Sequence, residues 1–194
     1  VAKESERLGV GVHLHLAESK EQAETSVTKY GKTPATHCAD LELFEHPSIA
    51  AHCLYLTDAD MDLLAGKGVS VAHCPKTYLK LSMGVAPVLD LLRHGVNLAV
   101  GTDGCASNNN LDMLESLRLT VLVQKLWQND PQALPSLAAL RLATRAGAQA
   151  LGFPESGVLA PGRPADLILV DMCRPHLCPR HDLAANIVHA AQAG

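Results

Sequence analysis

"VNLAVGTDG", residues 96–104, is a β-branched apolar run too short for a helix, and it ends on a glycine-flanked aspartate, Asp103. A run of that length bounded by turn residues reads as a buried strand. The pattern recurs upstream in "VGVHLHLA" (10–17), "SIAAHCLYL" (48–56) and "VSVAHCP" (69–75). Helical patterns lie between these runs: 19–30, a less regular 34–44, 57–67 opening on Thr57 with Asp58 and Asp60 in its first turn, and 85–94 stopped by Gly95. Strands alternating with helices imply an α/β fold with a parallel sheet. Four such units in about 100 residues are half of an eight-unit barrel or most of an open doubly wound sheet, and periodicity does not separate the two.

Beyond Gly104, a loop "CASNNN" leads to two helices near 111–127 and 135–151, the second Ala-rich and stopped by Gly152. "SGVLAPGRPADLILVD" then supplies a turn and a further strand near 165–171. The change in composition and the Pro/Gly-rich lead-in predict a small second module, which the remaining residues hardly have room to complete. The first residues, "VAKESERLGV", look like the middle of a helix, so the chain is expected to be a piece of something longer.

With 194 residues, 47% of them hydrophobic, the chain can bury a core, and disorder is excluded as a reading. A formal charge of −4 with acids and bases interspersed, and only 3% aromatic residues, argue against a nucleic-acid surface. Small molecules or proteins are the expected partners. Six cysteines without a CxxC, four of them inside apolar runs, fit a reducing cytoplasm. No apolar stretch is long enough to span a bilayer, so no membrane role is expected.

The histidines are placed systematically. His15, His52 and His73 each fall near the C-terminal end of a predicted strand, and Asp103 ends the fourth. In parallel α/β folds those ends converge on the functional face. A lone buried histidine is ordinarily a hydrogen-bonded core residue, but four equivalent placements point to a metal or acid/base constellation; imidazole and carboxylate suit zinc or iron. Strand alternation puts His13 and His15 on one face, with His13 deeper and Glu18 just past the strand end beside His15. Glu18 then either handles protons near an activated water or simply favours the start of helix 19–30 through its dipole.

A reading from another class rests on "MCRPHLCPRHD", where Cys173, His176, Cys178 and His181 resemble a zinc knuckle of an interaction module, although their spacing fits no common finger. Neither Ser19 nor Ser107 sits in a nucleophile elbow, and no phosphate-binding loop is present.

Six ordered blocks carry a family resemblance: "HLAES" (15–19), "AAHC" (50–53), "HCPKTYLKLSMGVAPV" (73–88), "GTDGCASNNNLDMLESLRL" (101–119), "ALRLATRAGAQALGF" (139–153) and "GVLAPGRPADLILVD" (157–171). Together they resemble the amidohydrolase superfamily, in particular the aminohydrolases that include methylthioadenosine/S-adenosylhomocysteine deaminases, guanine deaminases and triazine hydrolases. The resemblance implies a (β/α)8 TIM barrel of which residues 1–154 supply strands five to eight, and a composite β-sandwich to which 155–194 contribute. It implies a divalent metal, zinc or else iron, held by His15 and Asp103. It further implies Glu18 as the general acid, His52 as the residue orienting water or intermediate, and Asp103 as proton shuttle. His52, His73, Tyr78 and Asn108 are expected around the substrate.

The implied reaction is hydrolytic deamination of an amino-substituted nitrogen heterocycle of the adenosine type. A triazine- or guanine-type aminohydrolase or chlorohydrolase is the alternative within the family, and a non-catalytic half-barrel the alternative outside it. The family's usual Ser-Asn is replaced here by Thr77-Tyr78, in what reads as a loop over the pocket. The first four strands, with their His-X-His ligands, are not among these residues. The chain is therefore expected to be inactive alone, completed by that missing half or by a second copy.

Overall fold

The computed structural model describes residues 1–193. Helix α1 (Ala2–Leu8) leads into four strand-helix units. These are β1 (His13–Leu16) with α2 (Lys20–Tyr30) and α3 (Pro34–Asp40), β2 (Ile49–His52) with α4 (Asp58–Gly66), β3 (Ser70–His73) with α5 (Pro75–Leu81) and α6 (Val88–Arg93), and β4 (Leu98–Val100) with α7 (Cys105–Asn108) and α8 (Met113–Gln128). Then follow α9 (Ser136–Ala143), α10 (Arg145–Ala150), a short 3-10 turn at Pro175–Leu177, and α11 (Leu183–Ala190).

The four strands form one parallel sheet in the order β1-β2-β3-β4, with His15 opposite Ala51, Ala51 opposite Ala72 and Ala72 opposite Ala99. Leu16, Ala50, Val71 and Leu98 from one face pack with Met61, Leu64, Leu91, Leu117 and Val121 of the helices into the core. The other face sets small residues, Ala51, Ala72 and Gly101, beside His13, His15 and Asp103, and these line a cavity of about 500 Å³. A doubly wound sheet carries helices on both faces. Helix cover on one face and sequential strand order make this a partial (β/α) barrel, with β1 and β4 as its open edges.

Helix starts follow from capping. The Ser19 hydroxyl accepts from the Gln22 amide, Thr57 and Asp60 form a reciprocal capping box, and the Asp112 carboxylate accepts from the amides of Leu114 and Glu115. The predicted 34–44 helix stops at Asp40, and 85–94 shortens to α6 because Pro87 caps it. The expected 135–151 helix breaks at Thr144, whose φ of −123° and ψ of −88° separate α9 from α10.

Three further expectations are corrected. The segment 75–81, read as a loop, is helix α5, started by Pro75 in its first turn. "CASNNN" contains the one-turn helix α7. Residues 165–171 form no strand, because no neighbouring strand among the described residues pairs with them; Ile168 and Leu169 stand 77% and 94% exposed. No helix among the described residues is long and apolar enough to cross a membrane.

Outside the barrel face, His94 after α6 is hydrogen-bonded through Nδ1 to the Asp62 carboxylate of α4 at 2.7 Å, with the Asp58 carboxylate 3.9 Å from Nε2. That hydrogen bond to Asp62 first, and then the charges of Asp62, Asp58 and Asp90, raise its pKa above 6.5. A group whose folded pKa exceeds its unfolded one stabilises fully below the unfolded value and loses that contribution as pH rises through the folded pKa. Titrated by NMR, His94 is expected to show a midpoint above 6.5 that Asp62→Asn brings down; an unchanged midpoint in that variant would refute the pairing.

Candidate metal-dependent active site

Non-glycine residues with left-handed backbone stand at three of the four strand ends: Ala17 (φ 47°), His52 and Cys53 (φ 77° and 56°) and Asp103 (φ 62°). Such conformations cost of order 1–3 kcal/mol each and collect at functional sites. At His52 the consequence is geometric. Strict alternation would send it to the helix-covered side with Ala50, yet its ring stacks on that of His15, with centroids 5.0 Å apart and planes 19° from parallel.

His15, His52 and Asp103 bring one potential ligand atom each to within 4.8 Å of one another, the only such trio of His, Cys, Asp or Glu among the described residues. His15 is exposed on the open concave face, His52 is 1% exposed, and Asp103 lies between these extremes. His13 shares the cavity but not the trio. Cys173, His176, Cys178 and His181 do not come together in this way, and both cysteines are exposed free thiols.

Glu18 precedes the cap of α2, and its backbone N–H donates to the Gln22 side chain at 2.7 Å. Its Oε1 lies 3.6 Å from His52 Nε2, so the carboxylate faces the histidine across the mouth of the site. Burial lowers the His52 pKa below 6.5, with His15 adding to the shift and the charges of Glu18 and Asp103 opposing it. His52 is thus held mainly neutral at pH 7 and keeps a ring lone pair.

Both ring nitrogens of His52 are buried without a hydrogen-bond partner, as are both of His73. An unmet buried polar group costs about 1–3 kcal/mol. For His52, next to an imidazole and a carboxylate, a metal ion or a polar ligand group is the natural completion, and the donor set of two imidazoles and a carboxylate suits zinc. For His73, burial first and the neighbouring His52 second push the pKa down to about 3. It stays neutral and packs beside Tyr78, ring centroids 5.3 Å apart.

Asp103 is the most supported group in the site. Thr77 Oγ1 and Ser107 Oγ both donate to its Oδ2, at 2.9 and 2.8 Å, and the Gly104 N–H donates to Oδ1 at 2.7 Å. Burial pushes its pKa up, but the hydrogen bonds from Ser107, Gly104 and Thr77 outweigh it and the net shift is downward. The carboxylate is therefore ionised and ready to bind a cation.

Two residues expected at the substrate have their polar groups occupied. Asn108 is fully buried; its Nδ2 donates to Thr102 O at 2.8 Å and its Oδ1 accepts from the Leu111 N–H at 3.0 Å, so it clamps the loop after Asp103. The Tyr78 hydroxyl accepts from the Cys74 N–H at 2.7 Å and donates to His52 O at 3.4 Å, while its ring meets His52 edge-on. Tyr78 braces His52 from below. The hydroxyls of Thr77 and Ser107 on Asp103 are not foreseen by the sequence pattern; the one signal for Ser107 is its position four residues after Asp103 at the start of a helical turn.

The model of the amidohydrolase family matches residues 1–194. A curated 5-methylthioadenosine/S-adenosylhomocysteine deaminase of Pelotomaculum thermopropionicum is 51% identical over 187 residues, covering 96% of this chain and 43% of that protein. Among solved structures, an adenosine deaminase from Xanthomonas campestris with bound zinc superposes with a TM-score of 0.93 at 41% identity, over 98% of this chain and 44% of that one. The atrazine chlorohydrolase TrzN from Arthrobacter aurescens TC1, complexed with zinc, gives 0.89 at 30% identity, over 98% and 42%. The chain spans less than half the length of the curated relatives it matches.

Proposed function

Because the chain belongs to the amidohydrolase family, matched along residues 1–194, we propose that its site serves hydrolytic deamination of an adenosine-type purine nucleoside such as 5-methylthioadenosine or S-adenosylhomocysteine. The observation that carries this reading is the convergence of His15, His52 and Asp103 within 4.8 Å, with Glu18 facing His52. His15 and Asp103 would hold a zinc ion, its remaining ligands coming from barrel strands outside these residues. When bound, zinc supplies Lewis-acid activation of water near neutral pH.

The chain's own groups do the rest. Glu18 Oε1 carries a proton to a ring nitrogen, which makes the amino-bearing carbon electrophilic. His52, neutral and braced by Tyr78, offers a ring nitrogen to orient the attacking water. Asp103, its Oδ2 held by two hydroxyls, takes one of the water's protons and passes it to the departing amine; the other returns to Glu18 as the tetrahedral hydroxyl becomes the ring carbonyl, and ammonia leaves. His73 and Tyr78 keep the floor under His52 closed to solvent.

Residues 155–194 are assigned to a composite β-domain: the exposed apolar stretch at Leu167–Leu169, which pairs with no strand among the described residues, would become a strand only against a partner outside them. Likewise the open edges of β1 and β4 are assigned to the barrel strands that occupy the rest of the relatives' length rather than to a second copy. Cytoplasmic residence is supported by six free thiols.

The test is a chimera joining these residues to the N-terminal part of the Pelotomaculum relative. Ammonia release from 5-methylthioadenosine is expected, with Glu18→Gln lowering kcat by at least about 100-fold while zinc is retained. A folded, zinc-loaded chimera that ignores adenosine-type nucleosides, or prefers guanine or a triazine, contradicts the substrate assignment.

A further inference from the structure

The carboxylate of Asp103 is supported asymmetrically. A carboxylate oxygen has two in-plane acceptor positions, about four for the whole group. Oδ2 receives two hydroxyls, from Thr77 at 2.9 Å and Ser107 at 2.8 Å, whereas Oδ1 receives only the Gly104 N–H at 2.7 Å. Oδ2 is filled, and one acceptor position on Oδ1 stays open.

The two hydroxyls differ in commitment. Thr77 is 1% exposed, and among the described residues Asp103 is the one group to which its hydroxyl donates. Ser107 has a second acceptor in Gly104 O, but at 3.1 Å and uncharged, so the shorter bond to the carboxylate prevails. They also come from different elements, α5 and α7, and lysines of α5 reach α7 and the residues that follow it. Lys76 reaches Asn110 and Glu115 at 2.8 and 2.6 Å, and Lys80 reaches Ala106 O and Asn109 at 2.9 and 2.8 Å. The two lysines thus tie α5, which carries Thr77, to the segment after Asp103 that carries Ser107.

We propose that Thr77 and Ser107 are positioning residues that saturate Oδ2 of Asp103 and leave the one open position on Oδ1 to meet the cation. This role rests on the reading of Asp103 as a metal ligand. It also divides the work of the Thr77-Tyr78 pair, with Thr77 orienting Asp103 and Tyr78, one residue later, bracing His52.

The test uses Co²⁺ as the probe, titrated into the chimera with the N-terminal part of the relative, which supplies the remaining ligands, and into its variants, and followed by visible absorption. Thr77→Val is isosteric and leaves Asp103 short of one donor; it is expected to weaken Co²⁺ binding 10–100-fold, the range for removing a group that orients a ligand, while Thr77→Ser stays within about threefold of wild type. Ser107→Ala, at a half-exposed position, repeats the comparison if the buried Thr77→Val variant does not fold. Far-UV circular dichroism checks folding throughout. Asp103→Asn separates the two levels. If it abolishes binding while Thr77→Val and Ser107→Ala bind like wild type, the positioning role is overturned and the ligand role stands. If Asp103→Asn binds like wild type, or wild type binds no Co²⁺, the ligand role falls and the positioning role with it.

Discussion

Gly11→Ala is expected to destabilise the chain by more than about 3 kcal/mol, the scale of a severe steric insertion into packed structure. A Cβ at Gly11 would lie 1.7 Å from the carbonyl oxygen of Pro47 and 2.7 Å from its carbon. Both are backbone atoms, so no side chain can swing aside. Relief requires separating the segment before β1 from the segment before β2, just where Val12 N–H donates to Ser48 Oγ at 2.9 Å and Ile49 N–H donates to Val12 O at 2.8 Å. The first rungs between the two strands would be lost. Gly66→Ala in α4 is the control: nothing lies within 4 Å of the added Cβ, and alanine there is expected to stabilise by roughly 0.5–1 kcal/mol. Urea unfolding of the three proteins measures both. A Gly11→Ala loss below about 1 kcal/mol would mean that the β1-β2 approach is looser than these distances require.

The second large effect concerns the metal. His15→Ala removes one of the three converging donors, and zinc affinity is expected to fall by at least about 100-fold, more than loss of a merely supporting residue costs. His176→Ala is expected to change nothing, because it belongs to no converging group. Isothermal titration with zinc distinguishes the two. Equal losses, or a loss only in His176→Ala, would move the site to the C-terminal segment.

The strands were legible in the sequence because each is a short apolar run ended by turn residues, and the helices α2, α4 and α8 because Ser19, Thr57 and Asp112 cap them through local hydrogen bonds. The approach of His15 and Asp103 followed from their shared place at strand ends. What periodicity does not carry is contact between elements. Nothing in "HCPKTYLKL" says that Thr77 meets Asp103, 26 residues away, although Pro75 is a sign that a helix starts there. The left-handed turn at His52 is invisible to alternation, which assigns that ring to the wrong face. The resemblance places Asn108 at the substrate, a role the residue pattern itself does not weigh against the full burial that commits its amide to the loop. The strand expected at 165–171 has the right residues and lacks a partner, since a strand is defined by its ladder as much as by its sequence.

Whether His15 and Asp103 belong to one metal site is tested most directly by zinc-edge X-ray absorption of the chain loaded with one equivalent of zinc. The expected spectrum shows only nitrogen and oxygen neighbours, at about 2.0–2.2 Å, and changes in both His15→Ala and Asp103→Asn. A sulfur contribution near about 2.3 Å that survives both substitutions would place the metal on Cys173 and Cys178 instead and contradict the shared site.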